Sequence, residues 1–318
     1  MMNDSALNAD TGSVRLLRDP PATRKLNIAV GIATAGRKSI IGHTLELIAR
    51  QTRGPDVLIA CPATPDDLDA EVLQNFPFRT IVLTGKRGLT SQRNQILAAA
   101  DASDIIVFFD DDFFPQANYL QEIEKIFLDN ADVVAVTGRP ICDGANGPGL
   151  DIEAALELIS ENASKPSEYV LASTYGTYGC NMAFRMNPIR QHRITFDETL
   201  PLYGWQEDID FSRQLSGFGR IVDASVLRGV HLGAKGGRTS GVRVGYSQIA
   251  NPVYLVRKGT MSVAFAGPLI WRNVLANTGK SLLPEPWIDR RGRLRGNCLA
   301  LLDLVRGRIS PGRILELT

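Results

Sequence analysis

Between residues 26 and 137, short runs of apolar residues alternate with longer stretches in which apolar positions recur at helical spacing. Residues 26–33 (Leu-Asn-Ile-Ala-Val-Gly-Ile-Ala) are almost continuously apolar and stop at Thr34-Ala35-Gly36-Arg37, which predicts a buried strand. Ile41, Leu45 and Ile48 then repeat every three or four positions within residues 38–51. Further strands are predicted over 56–61, closed by Pro62 and Pro65, and over 79–84, closed by Gly85. A short helix over 91–100 leads into an apolar strand that begins at Asp104, and Tyr119, Ile123, Ile126 and Phe127 form the stripe of the next helix. Residues 132–137 make a further strand. Strands alternating with helices predict parallel βαβ units stacked as a doubly wound sheet.

Beyond Pro140 the pattern loosens. Residues 144–149 form a glycine-rich loop, 151–159 a short helix, and 175–185 mix aromatics with glycine. Helical spacing resumes after Glu207-Asp208, with Phe211 and Leu215 inward and Gly217 and Gly219 closing the element. One more strand is expected around 220–222, before His231 and a loop of glycines and basic residues. Residues 1–24 are polar, lack periodicity and read as a mobile leader. Residues 287–318 carry seven arginines against Asp289, Asp303 and Glu316. Leu299, Leu301, Leu302 and Val305 make part of that tail apolar, predicting a short amphipathic helix. The expected division is a leader over 1–24, an α/β domain over 25–258 and a helical extension over 259–318.

Composition narrows the class. A chain of 318 residues with 44% hydrophobic and 22% charged residues is an ordinary globular protein. A net charge of +1 gives no global attraction to nucleic acid, and no nucleic-acid partner is expected. Cys61, Cys142, Cys180 and Cys298 lie far apart with no Cys-x-x-Cys pair, which argues against a zinc site or a disulfide scaffold and suits a reducing compartment. The start Met-Met-Asn-Asp-Ser has no basic residue followed by an apolar run, and no signal peptide is expected. The most apolar late stretch, residues 261–270, falls short of the roughly 20 apolar residues a membrane span needs. A cytoplasmic location is expected.

The candidate chemistry centres on Asp110-Asp111-Asp112, which end the strand that begins at Asp104. Ligands of open α/β sheets bind beyond the carboxyl ends of strands. Three adjacent carboxylates repel, and a divalent cation is their simplest neutraliser. The alternative is an acidic turn after a core strand. Glu207 and Asp208 form a second acidic pair in the first turn of a helix, where the macrodipole favours ionised carboxylates. With Tyr203-Gly204-Trp205 just before them, suited to stacking on a sugar face, such a carboxylate could take a proton from a substrate hydroxyl. His231, within Gly229-Val-His-Leu-Gly233, offers a neutral imidazole suited to ions such as Mn²⁺, although a packed or solvated histidine is the commoner case. Lys235, Arg238 and Arg243 in a glycine-rich loop supply positive charge for a diphosphate, the alternative being a solvated surface loop. Two familiar phosphate motifs are excluded. Gly279-Lys280-Ser281 lacks the upstream P-loop glycine, where Val274 stands, and no Gly-x-Gly-x-x-Gly follows the first strand.

Together these residues resemble glycosyltransferase family 2, the inverting enzymes of the GT-A fold. The match rests on Thr34-Ala-Gly-Arg37, Gly88-Leu-Thr-Ser-Gln-Arg93-Asn94, the triple aspartate, Trp205-Gln-Glu207-Asp208 and the downstream His231, in that order. The resemblance implies an α/β, Rossmann-like, mostly parallel sheet flanked by helices. It also implies a metal-dependent enzyme moving a sugar from a nucleotide-diphosphate sugar to a hydroxyl of a saccharide or lipid-linked acceptor, in surface polysaccharide or glycolipid assembly. Asp110, Asp112 and His231 would hold Mn²⁺ or Mg²⁺, with Asp110 nearer the ribose. Arg93 would lie near the nucleotide, Thr34 and Arg37 beside the nucleoside, and Asp111, Lys235 and Arg238 on the donor side. Asp208 would be the catalytic base, with Glu207 orienting the acceptor. Trp205, Tyr178 and Asn181 would border the acceptor. Many relatives carry Asp-x-Gly-Ser after the second strand to hold the base. This chain has Cys61-Pro-Ala-Thr-Pro-Asp66-Asp67 instead, leaving Asp66 or Asp67 as the substitute.

The competing readings are a sugar nucleotidyltransferase, an aspartyl phosphatase and a non-catalytic carbohydrate-binding protein. The first would carry a longer basic loop after the first strand, and the second a nucleophile there. The third leaves both acidic motifs idle. A lipid-linked acceptor would make the arginine-rich tail a peripheral contact with anionic lipid at the inner face of the membrane. Packing of the tail helix on the domain is the alternative.

Overall fold

The computed structural model describes residues 25–163, 165, 168–236, 239–283 and 285–318. The expected leader lies outside them. The chain opens with β1 (Ile28–Thr34), α1 (Lys38–Ala49), β2 (Val57–Pro62), β3 (Arg79–Val82) and α2 (Leu89–Ala99). It continues with β4 (Ile105–Asp110), β5 (Phe113–Pro115), α3 (Tyr119–Asp129), β6 (Val133–Asp143) and α4 (Ile152–Ala163). Then come β7 (Leu171–Ser173), β8 (Asn181–Arg185), α5 (Met186–His192), α6 (Glu207–Leu215) and β9 (Arg220–His231). Three long helices follow: α7 (Gly241–Lys258), α8 (Val263–Leu282) and α9 (Arg290–Val305).

The strands form one sheet in the order β3-β2-β1-β4-β8-β6-β9-β5, with β7 also paired to β9. Parallel pairing holds from β3 to β4 and again between β6 and β9. The mostly parallel sheet expected of the sequence is present; β5 and β7 run antiparallel to β9, and β8 runs antiparallel to both β4 and β6. No strand was expected there, because glycine and polar residues hide a run of only five residues, Asn181–Arg185. Strand side chains alternate between faces. Ile28, Val30 and Ile32 of β1 and Ile105, Val107 and Phe109 of β4 pack with α1 and α3. Ala29, Ile106 and Phe108 turn to the opposite side, against α2, α5 and α6.

Two expected strands run longer than their apolar cores. β6 reaches Asp143 and β9 reaches His231, each ending in polar residues that carry no strand signal. Their pairing contains bulges. In the register held at Gly138–Ala224, Asp143 would face Gly229, but the irregularities bring it opposite His231. Gly138 is required at the main bulge, since a Cβ there would lie 2.1 Å from the Leu227 carbonyl oxygen.

The C-terminal helices form their own layer. Tyr246, Ile249 and Ala250 of α7 bury against Ala300 of α9 and against Ile309 and Ile314 beyond it. The inward face of α9 is small and polar: Asn297 donates to the Gly245 carbonyl at 2.7 Å and accepts from Asn277 at 2.8 Å. Leu301, Leu302 and Val305 point outward and are exposed. The helix is therefore not the simple amphipathic one its leucines suggested, because backbone approach and amide pairing determine its buried face.

Candidate active site

The ends of β1, β5, β6, β8 and β9 converge beyond the carboxyl edge of β4. Ala33 of β1 pairs with Asp110, which brings Thr34 beside the aspartates. The Asp110 amide donates to the Cys180 carbonyl at 3.1 Å, so the residues leading into β8 lie on the other side. β9 delivers His231 opposite both Asp143 of β6 and Phe113 of β5, one residue after Asp112. Sheet register thus assembles residues from 34, 110–112, 143, 179–180 and 231.

The three aspartates play unequal structural parts. Asp111 is buried and fixed: Thr34 Oγ1 donates to Oδ2 at 2.7 Å and Arg37 Nη1 to Oδ1 at 2.8 Å. Arg37 also donates to the carbonyls of Ala234 and Gly236, both at 3.1 Å, and so ties the β1 loop to the loop after β9. Burial pushes the Asp111 carboxyl up to about 6, against the pull of Arg37. Asp112, 1% exposed, accepts from the Ala234 amide at 2.7 Å through Oδ2. Burial would raise its pKa, but His231, Arg37 and that amide hold it down at about 2. Burial raises Asp110 as well, although Arg93 opposes.

The chemistry of this donor set fits a divalent cation. Asp110, Asp112 and His231 can each turn one ligand atom to within 4.8 Å of the others. Asp112 Oδ1 is buried without a hydrogen-bond partner; His231 Nε2 is 3.5 Å and Arg37 Nη1 3.3 Å away. An orphaned carboxylate oxygen beside an imidazole nitrogen is the arrangement that carboxylate- and imidazole-binding ions complete. Burial would lower the His231 pKa, yet the neighbouring Cys180, Asp112 and Asp143 raise it well above 6.5.

The second acidic motif opens α6. Leu202, Gly204 and Gln206 all have positive φ (59°, 61° and 75°), so the approach to this helix is a tightly coiled loop. Backbone held this way by non-glycine residues is costly and is retained where the surroundings over-determine it. Glu207, 6% exposed, forms a short ion pair with Arg93 Nη1. Asp208 accepts from the Gly179 amide at 2.9 Å through Oδ2 and from the Ile209 amide at 2.8 Å through Oδ1. Burial raises both carboxyls above the ordinary range. Asp208 also raises Glu207, whereas Arg93 and the backbone amides oppose.

Arg93 links the two motifs. It is 2% exposed, it donates through Nη2 to Asp110 Oδ1 at 3.0 Å and to the Gly179 carbonyl at 2.9 Å, and its guanidinium lies over the rings of Phe108 and Phe196. Gly179 therefore meets Arg93 through its carbonyl and Asp208 through its amide. The two acidic clusters border one site.

The other expected residues are distributed as follows. Tyr178 donates from its hydroxyl to Asp143 Oδ2 at 2.9 Å, beside His231. The Asn181 amide is engaged with β6, accepting from Thr137 Oγ1 at 2.8 Å and donating to the Gly138 carbonyl at 3.2 Å. Trp205 is half-buried, and its carbonyl accepts from Asn251 at 2.8 Å. Lys235 Nζ donates to the carbonyls of Gly144 and Ala145 at 3.0 and 3.2 Å. Arg238 lies outside the described residues. Asp66 is exposed, whereas Asp67 accepts from the Gly36 amide at 2.6 Å and fastens the β1 loop. Sequence reasoning missed Asp143 altogether. It is the last residue of β6 with no motif around it, and only the β6–β9 register connects it with His231.

The family model described as glycosyl transferase family 2 matches residues 29–193. No curated protein matches the chain. Among solved structures, the chain is similar to the crystal structure of S. aureus TarS 1-349, with a TM-score of 0.57 and 15% identity, covering 89% of this chain and 82% of that one. The same protein in complex with UDP-GlcNAc aligns with a TM-score of 0.56 and 14% identity, over 92% and 84% of the two chains. Its complex with UDP gives a TM-score of 0.55 and 16% identity, over 92% and 90%. At these identities the likeness concerns the fold.

Proposed function

Since the chain belongs to glycosyl transferase family 2, we propose that it moves a sugar from a nucleotide-diphosphate donor to an acceptor hydroxyl with inversion, using Asp208 as base. Membership makes it a glycosyltransferase and sets aside the nucleotidyltransferase, phosphatase and binding-protein readings. The observation that carries the assignment of roles is Arg93, which holds Glu207 with one nitrogen and Asp110 with the other.

The chemistry divides between the two sides of that arginine. Asp208, raised by burial and held by two amides, takes the proton of the acceptor hydroxyl. The hydroxyl oxygen attacks the anomeric carbon, the bond from that carbon to the diphosphate oxygen breaks, and its electron pair leaves with the diphosphate. Glu207 orients the acceptor, with Trp205, Tyr178 and Asn181 lining its approach. On the donor side, Arg93, Lys235 and Arg238 meet negative charge, Asp110 lies nearer the ribose, and Thr34 and Arg37 act by fixing Asp111. Asp66, exposed in its turn, would hold the nucleobase. Asp110, Asp112 and His231 would hold Mn²⁺ or Mg²⁺, which supplies positive charge to the departing diphosphate.

TarS was crystallised with UDP-GlcNAc, which makes that nucleotide sugar the first donor to try. The proposed acceptor is a saccharide or a lipid-linked acceptor of surface polysaccharide or glycolipid assembly. No helix among the described residues is long and apolar enough to cross a membrane. Peripheral contact is the proposed mode: exposed Trp271, Leu275, Leu282 and Leu283 accompany nine Lys and Arg against four Asp and Glu in residues 263–318. Calorimetry with UDP-GlcNAc and other nucleotide sugars, with Mn²⁺ or with chelator, tests the donor reading. Saturable binding and slow donor hydrolysis are expected. Absence of binding across the panel overturns the proposal. Flotation with anionic liposomes at low and high salt tests the membrane contact, which fails if the protein stays unbound at both.

A further inference from the structure

Asp143 takes no part in the chemistry above, yet its carboxylate is held from three directions. The Ala145 amide donates to Oδ1 at 2.9 Å, the Tyr178 hydroxyl donates to Oδ2 at 2.9 Å, and His231 Nδ1 lies 2.9 Å from Oδ1. Cross-strand register places the two residues opposite each other at the ends of β6 and β9. The imidazole is thereby oriented with its other nitrogen, Nε2, towards Asp112 Oδ1, the oxygen that has no hydrogen-bond partner.

We propose that Asp143 is a positioning residue for His231: by accepting a hydrogen bond from Nδ1–H, it presents the unprotonated Nε2 to the ion held with Asp110 and Asp112. The inference rests on the metal reading given above. An imidazole has one lone pair to give, and the hydrogen bond made by one ring nitrogen decides which tautomer the other presents. Asp143 is not itself a ligand in this arrangement. It binds the Nδ1 edge of the ring, and the cluster that can close on one ion comprises Asp110, Asp112 and His231 among the described residues. Through its hydroxyl, Tyr178 extends the support, so the loop before β8 and the metal ligand share one carboxylate.

The test is a Mn²⁺ titration of the full chain, read as free Mn²⁺ by electron paramagnetic resonance, for the native protein, Asp143→Ala and Asp143→Asn. Asp143→Ala is expected to weaken Mn²⁺ binding by about 10- to 100-fold. Asp143→Asn keeps an oxygen at the Oδ1 position and should fall between. A second readout separates orientation from general damage. With only three histidines in the chain, long-range ¹H–¹⁵N spectra of the Mg²⁺-loaded protein resolve the His231 tautomer. The native protein should carry its proton on Nδ1, whereas in Asp143→Ala a fraction of His231 should carry it on Nε2, and in those molecules the imidazole is off the ion. If Asp143→Ala does not fold, Asp143→Asn carries the same comparison. Mn²⁺ affinity within twofold of native, with the tautomer unchanged, overturns the role of Asp143 alone. A native protein that binds no Mn²⁺ removes the metal reading and this inference with it.

Discussion

Arg93 Nη2 lies 3.0 Å from Asp110 Oδ1 in a guanidinium that is only 2% exposed and whose other nitrogen pairs with Glu207. One cation thus neutralises a carboxylate from each of two motifs almost a hundred residues apart in the sequence. A buried charge stripped of its partner costs about 3–5 kcal/mol. Arg93→Met is accordingly expected to destabilise the protein by about that amount in urea unfolding. Arg93→Lys should rescue little, because a single ammonium cannot span both acids as a planar fork does. A variant as stable as the native chain would contradict this account.

Asp208→Asn should lower kcat by about 10²- to 10⁴-fold, the usual contribution of general base catalysis, and leave donor affinity unchanged. The Asn oxygen can still accept one of the two backbone amides that hold Asp208, so thermal stability should change little. Donor affinity lost in step with turnover would place Asp208 on the donor side instead.

The same residue sets a pH dependence. Burial raises the Asp208 pKa above its ordinary 3.8, with the Ile209 and Gly179 amides and Arg93 opposing. Its base form is lost as pH falls through that raised value, so kcat/KM should decline on an acidic limb lying above 3.8. The limb should disappear in the residual activity of Asp208→Asn.

Metal removal should abolish transfer. Chelator-treated protein is expected to lose activity and to regain it with Mn²⁺ or Mg²⁺, whereas Asp112→Ala should stay inactive at any concentration of either ion. Full turnover in excess chelator would overturn the roles given to Asp110, Asp112 and His231.

Away from the site, Lys258 Nζ donates to Asp197 Oδ2 and to Asp210 Oδ2, each at 2.7 Å, and Asp210 is wholly buried. Lys258→Met should cost about 3 kcal/mol in urea unfolding, since the buried Asp210 carboxyl loses its ammonium partner. Burial would raise the Asp197 pKa, but Lys258, Thr199 and Tyr254 hold it at about 2, below its ordinary 3.8. A carboxyl depressed in this way contributes stability above 3.8 that is lost as pH falls towards 2. Burial lowers the Lys258 pKa less than its two carboxylates raise it, so its contribution is complete below 10.5 and fades as pH rises through the folded value. Both the acid and the alkaline losses should shrink in Lys258→Met, as followed by unfolding midpoints across pH.

Much of the site was legible because its residues occupy the ends of strongly patterned elements. The apolar run of β4 gives way to Asp110-Asp111-Asp112, and Glu207-Asp208 stand in the first turn of a helix marked by Phe211 and Leu215. Asp143 was not legible, and neither were β8 and the outward leucines of α9. A five-residue strand bordered by glycine carries too little period-2 signal, and hydrophobic spacing cannot reveal that Gly245 and Asn297 decide which face of α9 is buried.

The sequence by itself determined the succession of strands and helices from β1 to β4, the ordering of the two acidic motifs and the residue types that suit a metal and a base, because each is a local matter of periodicity and charge. Only the tertiary structure decided that Arg93 joins the motifs, that Thr34 and Arg37 fix Asp111 and that Asp143 faces His231. Those relationships depend on strand order and on bulges between β6 and β9. Bulges are set by how whole faces of the sheet pack, which no local window of the chain contains.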